Sequence, residues 1–191
     1  MKKLPQAWFA RSAVELAPRL LGKVIRRGSC TGVIVETEAY GTDPASHAYR
    51  ITQRSAPMRD TYGHWYVYFT YGMHWCANVT TDAKGVGAVL IRAVEPIDGV
   101  ALMERRRSKK GGSQRNFKIG TGTLCNGPAK FCQAFGITGK DNRKPLSEKF
   151  AIYDAPEIPK SKIAASPRIG ITAGTDLPWR FYIKDNPFVS R

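Results

Sequence analysis

The chain has 191 residues, and its 30 Lys and Arg residues outnumber its 15 Asp and Glu residues to give a formal net charge of +15 at pH 7. Hydrophobic residues make up 42% and aromatic residues 10%, which suffices for a packed interior and excludes a wholly disordered basic tail. No apolar run approaches the ~20 residues that cross a bilayer, and no long apolar stretch follows the charged start, so we expect a cytoplasmic protein. A positive excess of this size favours a polyanionic partner, most commonly nucleic acid, over a basic surface that is merely solvated.

Hydrophobic periodicity and turn residues predict more strands than helices. The predicted elements of the first half are a helix over 7–21, strands over 23–25 and 32–40, a polar loop over 41–63, a hairpin with strands over 65–71 and 75–80, and a strand over 86–94. Those of the second half are a helix over 97–110, a helix that starts at 127–128, and short strands over 150–153, 168–172 and 181–184. No repeat or domain boundary interrupts them, so we predict one mixed α+β domain over 1–191.

Glu36, Glu38 and Tyr40 stand at alternate positions of the predicted strand over 32–40 and therefore share one of its faces. A carboxylate beside an aromatic ring at the end of an apolar strand suits a general base that activates water. The alternative is a strand end that reaches the surface with two solvated glutamates.

The predicted hairpin carries three tyrosines, Tyr66, Tyr68 and Tyr71, the last of them directly before Gly72. Aromatic residues commonly pack across strands, and that is one reading of the cluster. In a basic protein, however, an aromatic side chain beside a rigid turn can enter a base stack while its neighbours offer flat faces to an unstacked base.

The cysteines and histidines show no spacing typical of a zinc site, so we predict no metal and no cofactor. Cys125 and Cys132, seven residues apart, are expected on one face of a helix as reduced core residues. The basic run over 105–110, with further basic residues up to Lys118, can cap a helix dipole or lie along phosphates. Residues 127–130 offer backbone amides at a helix start as a second phosphate contact.

Five segments together resemble the alkyladenine (3-methyladenine) DNA glycosylases. The segments are Val35 to Tyr40, Asp43 to Arg50, Tyr66 to Asn78, Val89 to Pro96, and Leu124 to Ala134. They occur in the family's order and at nearly its spacing, and the closing residues 180–184 and 187–190 match as well. The resemblance implies a curved, mainly antiparallel sheet with a protruding hairpin and flanking helices.

The resemblance also implies a monofunctional glycosylase that flips alkylated or deaminated purines, such as 3-methyladenine, out of duplex DNA and starts base excision repair. Glu38 matches the family's general base, which activates the water that attacks the sugar carbon. Arg92 matches an arginine that helps to hold this water, and the backbone carbonyl of Val189 matches a third contact to it. We expect the Glu38 carboxyl group to open into the cleft where the tyrosines gather.

The remaining matched residues belong to the base pocket of the family. Tyr40, His47 and Tyr68 match the aromatic walls around the flipped base, and Asn78 matches a residue that crowds the amino group of guanine. Tyr71 matches the hairpin-tip residue that fills the gap left in the duplex. A strict two-residue turn would put Tyr68 and Asn78 on opposite faces, so the hairpin needs a longer turn or a bulge.

Departures from the family concern the pocket loop over 51–63, which bears on the range of lesions, and the spacing between Tyr40 and His47. We expect damaged duplex DNA as the partner, a monomer, and a protein of the cytoplasm or the nucleoid. The main alternative is a non-catalytic basic nucleic-acid-binding module, which would need the basic run and the aromatic residues but not Glu38. A nucleotide hydrolase or transferase would need a phosphate loop or a metal cluster, and the sequence shows neither.

Overall fold

Eight antiparallel strands form one curved sheet in the computed structural model, which describes residues 1–108 and 119–190. The first five strands are β1 (Val24–Arg27), β2 (Cys30–Tyr40), β3 (Trp65–Thr70), β4 (His74–Thr81) and β5 (Gly87–Asp98). The last three are β6 (Phe150–Tyr153), β7 (Ile163–Ser166) and β8 (Arg180–Ile183). The α+β class and the mainly antiparallel sheet are therefore confirmed.

The sheet follows the order β3-β4-β5-β2-β1-β6, and the long strand β2 is its centre. One edge of β2 pairs with β5 along nearly its whole length. Its other edge is shared, since the first half pairs with β1 and the second half, from Glu36 to Glu38, pairs with β8. The chain's last strand thus lies beside the part of β2 that carries the two glutamates.

Five α-helices of the described part of the chain flank the sheet, and the largest hydrophobic cluster fills the space between them and the strands. The helices are α1 (Ala13–Arg19), α2 (Pro57–Asp60), α3 (Val100–Ser108), α4 (Thr121–Leu124) and α5 (Pro128–Phe135). Helix α1 packs against β2 and β5, α5 against β4 and β5, and α3 against α5. Within the described residues, no helix combines the length and the apolar character that crossing a membrane requires.

Several predicted boundaries were wrong for local reasons. The helix predicted over 7–21 is a 3-10 helix (Gln6–Ala10) followed by α1, because the Ser12 side chain accepts a hydrogen bond from the backbone N–H of Glu15 and starts a new helix. The strand predicted over 168–172 is irregular, and β7 precedes it. Pro167 lacks an N–H for the ladder and Gly170 has a φ of +75°, so the chain leaves the sheet there.

The helix predicted over 97–110 begins only at Val100, because β5 continues to Asp98 and Gly99 adopts a φ of +77°. Cys125 lies between α4 and α5, so the prediction that it shares a helix face with Cys132 was wrong; both are nonetheless buried free thiols. The end of the predicted helix after Ser108 and the basic residues up to Lys118 lie outside the described residues.

Candidate active site

Four neighbouring strands place two of the candidate site residues, Glu38 and Asn78, in one row across the sheet. Glu38 of β2 lies opposite Leu90 of β5, Leu90 lies opposite Asn78 of β4, and Asn78 lies opposite Tyr66 of β3. Residues that oppose each other in antiparallel strands point to the same face. The row therefore brings Glu38, from the centre of the sheet, onto the same face as the aromatic hairpin.

This face is the one turned away from α1. The hydroxyl group of Thr37 donates a 2.8 Å hydrogen bond to the carbonyl oxygen of Ala17 in α1, so Thr37 points toward the helix. Because side chains alternate along a strand, Glu36 and Glu38 point to the opposite face. On the hairpin, Val67, Ala77 and Val79 belong to the main core. The positions between them on each strand therefore face the opposite side of the sheet, where the candidate site lies.

A pocket of about 150 Å³ opens on this face beside the tip of the hairpin. Its lining combines aromatic side chains from β2, β3 and the loop after β2 with an amide from β4: Tyr40, His47, Tyr66, Tyr68 and Asn78. Residues Gly170 and Ile171, from the irregular segment after β7, complete the wall. The structure thus brings together all four residues predicted for the base pocket.

Tyr68 and Asn78 share a face because the hairpin turn has three residues instead of two. Thr70 pairs with His74, so Tyr71, Gly72 and Met73 form the turn. The longer turn that the sequence required is therefore present. Asn78 is 3% exposed, and its side-chain amide donates a 3.0 Å hydrogen bond to the carbonyl oxygen of Tyr66, which fixes its orientation toward the pocket.

His47 lies at the pocket mouth, where its Nδ1 is 2.9 Å from the Tyr66 hydroxyl oxygen and its ring meets Tyr68 edge to face at 4.6 Å between centroids. Partial burial of the imidazole and the nearby positive charge of Arg54 lower the pKa of His47 below its usual 6.5. The ring is therefore neutral at pH 7. Burial also raises the pKa of Tyr66 to about 12, so this hydroxyl group stays protonated.

Glu38 lies directly behind the pocket wall and has no exposed surface. Its Oε2 accepts a 2.7 Å hydrogen bond from the Tyr40 hydroxyl, and its Oε1 accepts one of 2.7 Å from the backbone N–H of Ile169. Arg92 Nη1 lies 3.1 Å from the same Oε1. The expectation that this carboxyl group opens into the cleft was therefore wrong, because these three donors enclose it.

Tyr40 connects the pocket with the carboxylate. Its ring lines the pocket, whereas its hydroxyl group donates to Glu38. Burial, together with the negative charge of Glu38, raises the pKa of Tyr40 far above its usual value of 10. The hydroxyl group is accordingly a permanent donor, and a change at the pocket wall is transmitted directly to Oε2.

Arg92 joins both glutamates into one buried ion-pair network. Its Nε lies 3.1 Å from Glu36 Oε1, and its Nη2 donates to the Ser190 hydroxyl at 3.3 Å. Burial opposes the charged form of Arg92, but the adjacent Glu38 and Glu36 carboxylates outweigh it and raise the pKa of Arg92. Arg180 of β8 adds a second guanidinium, whose Nε is 2.6 Å from Glu36 Oε1.

Val189 lies one residue before the part of the C-terminal segment that touches this network. The backbone N–H of Ser190 donates to Glu36 Oε2 and the Ser190 hydroxyl donates to Glu36 Oε1, both at 2.8 Å. These contacts hold the chain next to Val189 against Glu36, which lies 154 positions away in sequence. Of the three residues predicted to handle water, Glu38 and Arg92 are in direct contact, and Val189 adjoins Ser190, which contacts Arg92.

Tyr71 stands at the hairpin tip with 78% of its surface exposed, and Met73 beside it is 64% exposed. Tyr71 has a φ of +50° and Gly72 a φ of +62°. The left-handed region is unfavourable for a bulky side chain, so the turn holds a large aromatic ring in solvent at an energetic cost.

Sequence reasoning missed several residues of the site: Asp43, Arg168, Ile169, Arg180 and Ser190. Most of them lie in segments that the resemblance covers, but no local pattern marks them, because their partners are more than 120 residues away. Among the described residues, no group of three or more His, Cys, Asp or Glu side chains is placed to hold a metal ion.

Comparison with known proteins gives a consistent picture. A family model described as methylpurine-DNA glycosylase (MPG) matches residues 7–187. Similar bacterial proteins carry the name "putative 3-methyladenine DNA glycosylase". One from Burkholderia lata is 46% identical over 98% of this chain and 90% of its own length. One from Rhodopseudomonas palustris is 46% identical over 98% and 88%, and one from Chlorobaculum parvum is 43% identical over 100% and 91%.

The family-model match over 7–187 covers the strands and the hairpin that build the site and ends before Val189 and Ser190. It confirms the resemblance inferred from the motifs, and it decides for an enzyme over a non-catalytic nucleic-acid-binding module. The chain belongs to the methylpurine-DNA glycosylase family and is a hydrolase of N-glycosyl bonds.

Proposed function

We propose that this protein removes alkylated purines, such as 3-methyladenine, from duplex DNA by flipping the damaged base into the aromatic pocket and hydrolysing its N-glycosyl bond with water. The observation that carries the proposal is the 2.7 Å hydrogen bond from the pocket-wall residue Tyr40 to the buried Glu38. It links a site able to hold a flat base with a carboxylate able to accept a proton. The names of the bacterial relatives support the same class of substrate.

Of the two buried glutamates, Glu38 is the better base because it is less fully hydrogen-bonded. A carboxylate has about four acceptor positions. Glu36 accepts from Arg92, Arg180, the Ser190 hydroxyl and the Ser190 N–H. Among the described residues, Glu38 accepts one hydrogen bond at each oxygen, and Arg92 adds an ion pair at Oε1, which leaves it the capacity to accept from a water.

In this mechanism the leaving purine places positive character on the sugar, and the negative charge of Glu38 stabilises it while Oε2 accepts the water's proton. Arg92 balances the two carboxylates, and the carbonyl group of Val189 is a further acceptor for the water. Because Glu38 is enclosed, the water must reach Oε2 beside the Tyr40 hydroxyl when the nucleotide enters.

The aromatic walls of the pocket can stack on a flat, positively charged alkylpurine. Arg168 and Arg54 already lie against the Tyr40 and Tyr68 rings, so stacking and shape carry the selection more than ring charge does. The lowered pKa of His47 keeps the third aromatic wall neutral at pH 7, so it does not repel that charge. The buried and hydrogen-bonded Asn78 is suited to crowd the amino group of guanine, which protects normal bases.

Tyr71 completes the proposal, since an exposed aromatic ring on a rigid turn can replace the stacking of the extruded base. A base-flipping domain needs no symmetric partner, so we propose that residues 1–191 form one glycosylase domain that acts as a monomer on DNA in the cytoplasm or at the nucleoid.

The first prediction concerns Glu38→Gln, which keeps the size of the side chain but removes its negative charge. We expect the variant to bind methylated duplex DNA and to release no 3-methyladenine, because nothing then accepts the water's proton. Chromatography of free purines after incubation with methylated DNA, together with a binding assay on the same duplex, measures both quantities.

Glu95→Gln is the matched control, because Glu95 also lies on a sheet strand and its carboxyl group accepts a single hydrogen bond among the described residues, from Asn186. It should release purines at the wild-type rate. Full excision activity of Glu38→Gln would remove Glu38 from the mechanism, and wild-type protein that binds without releasing any purine would contradict the proposed reaction as a whole.

A further inference from the structure

Arg168 is a buried arginine that is not needed for the reaction as described above. It is 5% exposed, and its guanidinium carbon lies 4.8 Å from the centroid of the Tyr40 ring and 5.1 Å from that of Trp179. Burying a charged side chain is costly unless it is paired. The groups that pair with Arg168 therefore have to account for a positive charge buried against the pocket wall.

The partners of Arg168 are the chain segments on either side of Tyr40. Its Nη1 donates to the carbonyl oxygen of Ala39 at 3.0 Å, and its Nη2 is 2.6 Å from Asp43 Oδ1. Asp43 in turn accepts hydrogen bonds from the N–H groups of Gly41 and Ala45. Burial would raise the pKa of Asp43, but its hydrogen bond with Arg168 and the backbone donors outweigh burial and lower it, so the pair is ionised at neutral pH.

Ile169, the residue after Arg168, contacts Glu38, the proposed general base. The N–H of Ile169 donates the 2.7 Å hydrogen bond to Glu38 Oε1, and the next two residues, Gly170 and Ile171, line the pocket. We call residues 168–171 the strap. Arg168 fixes one end of the strap to the loop after β2, and that attachment holds the Ile169 N–H against Glu38.

We infer that Arg168 is a positioning residue for base excision. It orients Tyr40 by lying against the Tyr40 ring, and it orients Glu38 through the N–H of Ile169. This inference rests on the proposed role of Glu38. With Oε1 held by Ile169 and Arg92, Oε2 is the oxygen that faces the Tyr40 side, where the proposed water arrives. A planar guanidinium can stack on two rings while it donates in two directions, and a lysine ammonium group cannot.

The test is Arg168→Lys, which keeps the charge and removes the planar group. We expect the single-turnover rate of 3-methyladenine release to fall by about ten- to a hundredfold, as small displacements of catalytic groups do. The dissociation constant for the same methylated duplex should stay close to that of the wild type, because Arg168 is buried beneath the pocket wall. Asp43→Asn removes only the charged partner and should lower the same rate by a smaller factor.

Arg27→Lys is the matched control. Arg27 also binds an aspartate, Asp141, and a backbone carbonyl group, that of Phe135, and lies over an aromatic ring, that of Phe150. Arg27→Lys should lower the unfolding temperature without changing the rate of 3-methyladenine release.

A wild-type rate in Arg168→Lys, with Glu38→Gln inactive, would overturn the role of Arg168 and leave the proposed function standing. An active Glu38→Gln variant would instead overturn the proposed role of Glu38 as the general base. Equal loss of rate in Arg168→Lys and Arg27→Lys would show that Arg168 acts through stability alone, which also overturns the inference. If Arg168→Lys does not fold, Asp43→Asn decides, since an unchanged rate in that variant contradicts the inference.

Discussion

Arg54 and His47 illustrate how single residues tune the mouth of the pocket. The Arg54 guanidinium carbon lies 4.9 Å from the centroid of Tyr68, and its Nη2 donates to the carbonyl oxygen of Phe69 at 2.6 Å. A fixed positive charge at this place disfavours protonation of the neighbouring imidazole. Arg54 lies in the loop over 51–63, and this contact with the Tyr68 ring brings the loop to the pocket mouth.

The pKa of His47 is the first quantity to measure at this scale. We expect it below 6.5, and we expect Arg54→Gln to raise it, because the substitution removes a nearby positive charge. As the pH falls through the lowered pKa, His47 gains a positive charge and should weaken the binding of cationic bases. An NMR titration of the His47 ring in both proteins measures the shift directly.

Arg59→Gln provides the comparison, since Arg59 lies close by in sequence but pairs with Asp60 at the surface. It should leave the pKa of His47 unchanged. An equal shift in both variants would mean that general charge, and not the placement of Arg54, governs the imidazole.

The sequence predicted which face of a strand individual residues occupy better than it predicted their partners. Alternation along β2 placed Glu36 and Glu38 on one face, and the alternative of two solvated glutamates was wrong because both are completely buried. What encloses them, the N–H of Ile169 and the side chains of Arg180 and Ser190, arrives from the last 25 residues of the chain. A local pattern contains no information about contacts of that separation.

At the scale of elements, the hairpin stores strain at the point where DNA would meet the protein. A left-handed φ costs a non-glycine residue roughly 1 kcal/mol or more. The ring of Tyr71 is 78% exposed and therefore recovers little of this cost by packing. The proposed insertion of Tyr71 into the duplex would give this strained, exposed ring a function.

Tyr71→Gly should separate these two effects. We expect the free energy of unfolding to rise by up to about 1 kcal/mol, because glycine adopts a positive φ without strain. We also expect weaker retention of the flipped base, because no ring then fills the gap in the duplex. Chemical denaturation measures the first, and the signal of a fluorescent base analogue next to the lesion measures the second.

Arg143→Gly is a suitable reference, because Arg143 has a φ of +63° but lies outside the hairpin. It should leave the flipping signal unchanged. If Tyr71→Gly retained the flipped base as well as the wild type does, Tyr71 would not be the residue that occupies the gap.

Elements with strong local signals were the ones predicted correctly. The hairpin, β6 and α5 have β-branched and aromatic runs or a proline at the first helical turn, and each was found near its predicted place. The strap was predicted as a strand because its composition resembles one. Its real course depends on Pro167, on Gly170 and on the ion pair between Arg168 and Asp43, the last of which only the folded protein contains.

At the scale of the whole molecule, the buried charged residues do not account for the excess of positive charge. The buried charged residues among those described are a few acids and a few bases in similar number: Glu36, Glu38, Asp43, Asp141, Lys23, Arg92 and Arg168. Their charges nearly cancel in sum, although Lys23 and Asp141 pair with Asp154 and Arg27, which are outside this set. Most of the net charge of +15 therefore belongs to groups outside the buried core and is available to attract phosphates.

This surface charge predicts that binding to duplex DNA weakens steeply and linearly on a logarithmic scale as salt increases, with a slope of about −0.9 per phosphate neutralised. Because phosphate contacts do not depend on the base, damaged and undamaged duplexes should show the same slope and differ only by a constant offset. Fluorescence anisotropy with Glu38→Gln, which should leave both duplexes intact, measures the two lines over a series of salt concentrations. The offset measures how much the pocket contributes to binding, and the slope measures how many phosphates the basic surface neutralises. A slope near zero on undamaged DNA would contradict a DNA-binding role for the positive charge, and a different slope on damaged DNA would mean that base flipping recruits additional phosphate contacts.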